Sequence, residues 1–193
     1  MKSDIILAGV GGQGILSIAS ILGDAALREN LFLKQAETHG MSQRGGAVVS
    51  HLRISDSEIA ADLIPVGKAD LILSVEPMEA LRYLPFLSAH GYVVSNTTPF
   101  QNIPNYPDVD ALIAEIKKQP RFVAIDADSI AAEMGNKRAS NVVMLGAAAP
   151  FIDISPEKIE VGIQRVFGKK GDEVVALNCK AFRAGLEFSL KNR

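Results

Sequence analysis

The chain begins with an apolar run, Ile5-Ile6-Leu7-Ala8, that passes directly into Gly9-Val10-Gly11-Gly12-Gln13-Gly14. A strand-like run, a G-x-G-x-x-G turn and then a helical apolar stripe form the pattern of a dinucleotide-type β-turn-α unit. Gly9 and Gly11 allow φ values and a close backbone approach that a Cβ would block, and Gly14 lets the helix pack on the strand. The stripe Ile15, Ile18, Ala19, Leu22, Ala25 and Ala26 predicts a helix over about residues 13–28. Its N-terminus offers amide donors and a partial positive charge to an anion.

The rest of the chain continues the alternation of strands and helices. Strands are expected near residues 4–8, 31–37, 47–54, 69–75, 91–97 and 121–127, the 47–54 segment alternating as a half-exposed strand. Pro77 opens one helix, another covers about 108–117, and the chain then reads as helical to its end. Ser155 and Pro156 start one of these late helices. Val175, Cys179, Phe182 and Leu186 form the stripe of the last, at about 172–191. The expectation is an α/β fold: a single Rossmann-like domain over residues 1–193, with a mostly parallel sheet covered by helices and a helical C-terminal part.

Bulk properties exclude several classes of function. With 193 residues, 48% of them hydrophobic and 22% charged, the chain has enough apolar material for a core and is not a disordered protein. A net charge of −2 gives no electrostatic case for nucleic acid or an anionic membrane. No apolar run approaches the ~20 residues that span a bilayer, and the first residues enter a strand without a leader pattern, so a cytoplasmic location is expected. Cys179 is the single cysteine, which excludes an internal disulfide and a cluster held by four thiolates of this chain. Its helical spacing reads as a buried small hydrophobe. His39, His51 and His90 lack metal-ligand spacing, and no metal site is expected. The Walker lysine, a G-x-S-x-G elbow and a Cys/His nucleophile pair are all missing, so no catalytic residue is assigned.

A second motif, Glu37-Thr38-His39-Gly40-Met41-Ser42-Gln43-Arg44-Gly45-Gly46, sits where a second strand ends. If that strand lies beside the first, both loops share one crevice at the carboxyl edge of the sheet, where open α/β sheets bind ligands. Arg44, followed by Gly45 and Gly46, presents a guanidinium beside backbone amides, which suits phosphate or carboxylate. The alternative is that Arg44 pairs with Glu37 or with a neighbouring subunit. Glu37 stands near the place of the acidic residue that holds ribose hydroxyls, or else bonds to loop amides at the strand end. The candidate binding set is Gly9, Gly11, Gly12, Gln13 and Gly14 from the first loop with Ser42, Gln43, Arg44, Gly45 and Gly46 from the second. His39 and Met41 read as packing or interface residues.

Together, "GVGGQGI" and "QAETHGMSQRGGAVVSHLRI" resemble the gamma-type domain of the pyruvate/2-ketoisovalerate ferredoxin oxidoreductase family. The "HGMSQRGG" form is most like the small (beta) subunits of the family's indolepyruvate ferredoxin oxidoreductase branch. The resemblance implies an enzyme that oxidatively decarboxylates a 2-oxoacid, joins the acyl group to coenzyme A and reduces ferredoxin. It also implies a large partner subunit carrying thiamine diphosphate and iron–sulfur clusters, with coenzyme A as a candidate shared substrate. The residues agree: one cysteine builds no cluster, and neither "GDA" at 23 nor "GDE" at 171 continues into a thiamine motif. A subunit of this kind leaves an interface uncovered when isolated and self-associates; Met41, Pro77, Met78 and Pro99 to Ile103 are the candidates. Two other readings remain open at this stage, a stand-alone NAD-type Rossmann enzyme or nucleotide sensor, and a scaffold with an empty crevice.

Overall fold

A computed structural model of the chain describes residues 1–40, 45–101 and 103–192. Six strands form one mixed sheet: β1 (Lys2–Val10), β2 (Phe32–His39), β3 (Ala47–Ser55), β4 (Ala69–Ser74), β5 (Leu87–Asn96) and β6 (Phe122–Ile125). Their spatial order is β2-β3-β1-β4-β5-β6. β1, β4, β5 and β6 pair in parallel, whereas β3 runs antiparallel to both β1 and β2. The second strand is therefore not beside the first, as the sequence suggested; β3 lies between them. The reason is the connection. Residues 40–46 are too few for the crossover of a dozen or more residues that parallel neighbours need, so β2 and β3 close as an antiparallel pair.

β3 is an interior strand that keeps the alternation read for 47–54: Val48, Ser50, Leu52 and Ile54 are buried and Ala47, Val49 and Arg53 are half-buried, with buried His51 the exception. β1, at the centre, is buried from Ser3 to Val10, as expected for a strand covered on both faces.

Helices cover the sheet unequally. One face carries α1 (Ile15–Arg28), α4 (Ala127–Glu133), α5 (Ser140–Ala148), α6 (Pro156–Gly168) and α7 (Asp172–Asn192), all joined in the main apolar cluster. The other face carries α2 (Pro77–Arg82) and α3 (Val109–Lys117) with smaller clusters around Ile6, Ile72 and Val93. The stripe predicted for α1 is buried in full. Cys179 is buried on α7 beside Phe182; burial and then the nearby Glu160 carboxylate push its thiol up from the ordinary value, away from the reactive thiolate.

α5 is apolar on every side and buried from Asn141 to Ala148, because it is sandwiched between the sheet and α7. The two helices cross backbone to backbone at Gly146 and Gly185. A Cβ on Gly146 would collide with the Phe182 carbonyl, and one on Gly185 with the Val143 carbonyl. This crossing generates a prediction. Gly185→Ala loses about 1–3 kcal/mol of stability by overpacking, even though alanine favours a helix by about 1 kcal/mol. Gly168→Ala, where a Cβ meets nothing within 4 Å, shows only the favourable effect. Urea denaturation midpoints of the two variants should move in opposite directions.

Candidate functional site

The glycine turn between β1 and α1 is held by its neighbours rather than left open. Gln13 Oε1 accepts a hydrogen bond from the Val10 amide (2.7 Å), and Gln13 Nε2 donates to the Val75 carbonyl (3.3 Å). The side chain thus straps the end of β1 to the end of β4. Gly11 donates its amide to the Gly46 carbonyl at 2.9 Å, which ties the first loop to the second. The two motifs do share one edge of the sheet, but they meet through the start of β3.

The glycines divide the work differently from the sequence expectation. Positive φ falls on Gly12 (101°), Gly14 (83°) and Gly45 (81°), not on Gly9 or Gly11. Gly9 lies inside β1, and a Cβ there would collide with Val75. Gly14 makes its close approach to Asn141 of α5, whose Nδ2 donates to the Gly14 carbonyl at 3.1 Å. Ser42, Gln43 and Arg44 lie outside the described residues, as does Met41, and the roles expected of them stay expectations. Gly46 is the acceptor for Gly11.

Two clefts flank the turn, and Gly12 and Gly14 line both. The smaller, about 330 Å³, is walled by Val10, Ile15, Leu16 and Val48, with Glu37 and His39 at its side. Among the described residues, the Glu37 carboxylate meets side chains. Its Oε2 accepts from Gln35 Nε2 at 3.3 Å, and its Oε1 touches His39 Nε2 without hydrogen-bond alignment.

The larger cleft, about 560 Å³, lies between the start of α1 and the segment that leads into α5. Lys137, Arg138 and Lys170 line it together with Asn136, Ser140, Asn141 and Asn178, and no carboxylate among the described residues does. Among the described residues, Lys137 and Arg138 make no ion pair. Three cations beside the N-terminus of a 14-residue helix make this the most anion-friendly part of the edge. Sequence reasoning missed it. The available signal was "GNKRASN", residues 135–141, a cation pair among capping residues just before the apolar run of α5.

Further along the edge, the loop after β5 is anchored on Glu76, a fully buried carboxylate. Glu76 accepts from the Tyr106 hydroxyl, from the Phe100 amide (3.3 Å) and from the Glu79 amide (2.9 Å). Burial first, then the bond to Glu76, push the Tyr106 phenol above its ordinary value, so it remains a donor. The expected interface residues separate here: Phe100 and Ile103 are exposed, Met78 is half-buried, and Pro77 is buried as the first residue of α2. Among the described residues no three metal-ligating side chains converge, and no helix is long and apolar enough to cross a membrane.

The turn, the mixed sheet and the second loop belong to one class of protein. The family model for pyruvate ferredoxin/flavodoxin oxidoreductase matches residues 4–188, and the chain is a member of that family. It is 38% identical over 202 residues to the indolepyruvate oxidoreductase subunit IorB of Archaeoglobus fulgidus, covering 100% of this chain and 98% of that one. The subunit of the same name from Pyrococcus horikoshii is 39% identical over 194 residues, covering 95% and 94%. Among solved structures, the 2-oxoglutarate:ferredoxin oxidoreductase of Magnetococcus marinus, with 2-oxoglutarate, coenzyme A and succinyl-CoA bound, superposes with a TM-score of 0.79 at 25% identity. The match covers 100% of this chain and 32% of that longer one. Family membership does not favour the stand-alone NAD enzyme.

The geometry of the turn predicts a graded response to alanine. Gly12→Ala, facing open space, suffers only the left-handed backbone penalty of about 1–2 kcal/mol. Gly14→Ala adds the displacement of Asn141 and the loss of its hydrogen bond, about 1 kcal/mol more. Equal denaturation midpoints for the two variants would contradict this account of the turn.

Proposed function

We propose that the chain, acting as one domain over residues 1–193, is the small subunit of a cytoplasmic 2-oxoacid:ferredoxin oxidoreductase of the indolepyruvate type. The observation that carries this reading is the end-to-end likeness to indolepyruvate oxidoreductase subunits, with both signature loops joined at one sheet edge. The complete enzyme removes carbon dioxide from a 2-oxoacid, passes the acyl group to coenzyme A and delivers two electrons to ferredoxin. Thiamine diphosphate supplies the carbanion chemistry of that reaction, and iron–sulfur clusters carry the electrons. A single cysteine cannot by itself ligate a cluster, and neither "GDA" at 23 nor "GDE" at 171 continues into a thiamine motif. Both therefore belong to a large partner subunit, which also meets ferredoxin.

What this chain contributes is binding at the carboxyl edge. The cationic cleft suits a ligand with several phosphate charges, and coenzyme A is the substrate of the reaction with that property. Lys137, Arg138 and Lys170 would hold its phosphates against the α1 N-terminus, while Gln13 and Asn141 keep the turn in shape. The structure with coenzyme A bound, whose longer chain contains a unit of this fold, supports the idea. Phe100 and Ile103 lie exposed along the same edge and give the isolated chain a surface for self-association.

Reconstitution tests the reading. The purified chain alone shows no 2-oxoacid oxidation with a ferredoxin substitute, thiamine diphosphate and coenzyme A. Mixing it with a large thiamine-binding, cysteine-rich partner restores turnover. In that complex, replacing both Lys137 and Arg138 by Ala raises the KM for coenzyme A by about 10- to 100-fold, the net loss of about one charged hydrogen bond. The KM for the 2-oxoacid stays unchanged. Turnover by the isolated chain, or a KM effect confined to the 2-oxoacid, would refute it.

A further inference from the structure

On the face away from α1, residues 56–68 cross from β3 to β4 as a strap over the sheet. The strap buries Ile59 and Ile64 yet leaves Leu63 and Val66 exposed, at 59% and 67%. At its start the Asp56 amide donates to the Met1 carbonyl (3.2 Å) and the Ser57 amide to the Ser55 hydroxyl (3.1 Å), and further on Lys34 Nζ donates to the Ala60 carbonyl (3.4 Å). Arg53 Nη1 donates to the carbonyls of Ala61 (3.0 Å) and Leu63 (3.3 Å), and the Gly67 amide donates to the Pro85 carbonyl (3.0 Å). Between these, the Ile64 amide donates to Nδ1 of His51 at 3.1 Å. His51 is on β3, 9% exposed, with the ring of Phe86 edge-on at 5.3 Å. A ring nitrogen that accepts an amide hydrogen carries no proton, so the imidazole is neutral with its hydrogen on Nε2.

We propose that His51 is a proton-operated catch: protonation of Nδ1 replaces the acceptor of the Ile64 amide with a donor and releases strap 56–68 from the sheet. Release uncovers the apolar cluster of Ile6, Ala69 and Ile72 that Ile64 covers. The catch depends on one bond between two largely buried groups.

The charges facing His51 leave it as the group that changes state. On its own strand, Arg53 is ion-paired with Asp4 of β1, which Lys2 also meets. From β2, Lys34 pairs with Asp62 of the strap at 3.0 Å. Glu58 of the strap lines the cleft beside Arg53, and Tyr83, after α2, is a phenol held neutral by burial. Burial, then the Arg53 guanidinium, hold His51 below the ordinary imidazole value. The sign follows: the closed strap keeps the ring neutral, and opening restores its ordinary affinity for a proton. Closure is therefore fully stabilised above about pH 6.5 and weakens as pH falls below it.

Hydrogen exchange of the full chain, corrected for intrinsic rates, tests the catch. An open-state imidazole near 6.5 predicts a roughly ten-fold loss of Ile64 amide protection from pH 7.5 to pH 5.5. The Ile72 amide, in β4, keeps its protection over the same range. His51→Gln retains an oxygen acceptor but does not titrate. Its Ile64 protection should stay flat with pH. A pH-independent wild type, an unchanged pH response in His51→Gln, or parallel loss at Ile72 would each overturn the proposal. Imidazole nitrogen shifts of the wild type give a second reading that needs no variant. Protonation of His51 must track the opening of Ile64, and a ring still neutral while Ile64 opens would also overturn it.

Discussion

The amide side chain of Gln13 fixes the part of the molecule on which the rest depends. By accepting from Val10 and donating to Val75, it joins the ends of the two central parallel strands directly across the glycine turn. Asn141 then holds the Gly14 carbonyl from α5, and Gly11 reaches Gly46 at the start of β3. Three elements distant in sequence are thus referenced to one turn. The clefts on either side of that turn inherit their shape from these bonds, since Gly12 and Gly14 line both.

Placement explains what a nucleotide-type turn offers in this fold. The β1-turn-α1 unit aims a helix N-terminus at the carboxyl edge, and Lys137, Arg138 and Lys170 add positive charge on one side. The other side is apolar, with Glu37 and His39 turned toward each other. An antiparallel strand takes the place beside β1 that a parallel β2 occupies in a dinucleotide-binding sheet. Glu37 is thereby one strand further from the turn than the acidic residue of such a sheet.

Much of this was legible in the sequence because it is local. Every residue of the period Ile15, Ile18, Ala19, Leu22, Ala25 and Ala26 is buried on α1, and of the α7 stripe Cys179 and Phe182 are buried while Val175 and Leu186 pack half-buried against the core. The order of the strands was harder, because pairing is set by long-range packing; yet the short 40–46 connection already required β2 and β3 to be antiparallel. The roles of individual glycines were misassigned, since spacing alone does not reveal which residue takes a positive φ. Lys137, Arg138 and Lys170 were missed for a different reason. Lys170 lies about thirty residues beyond the Lys137–Arg138 pair, and only long-range packing brings it to the same cleft.

The central claim is that the cationic side of the glycine turn is where this chain meets a ligand. Backbone amide shifts of the isolated chain, followed during titration with coenzyme A, test it most directly. The account predicts that the shifts cluster at Gly12, Gly14, Ile15 and Lys137 to Asn141, saturate, and weaken as salt rises. Shifts concentrated at the opposite edge of the sheet, around Tyr92 and Phe151, would contradict it, as would a spectrum unmoved at millimolar coenzyme A.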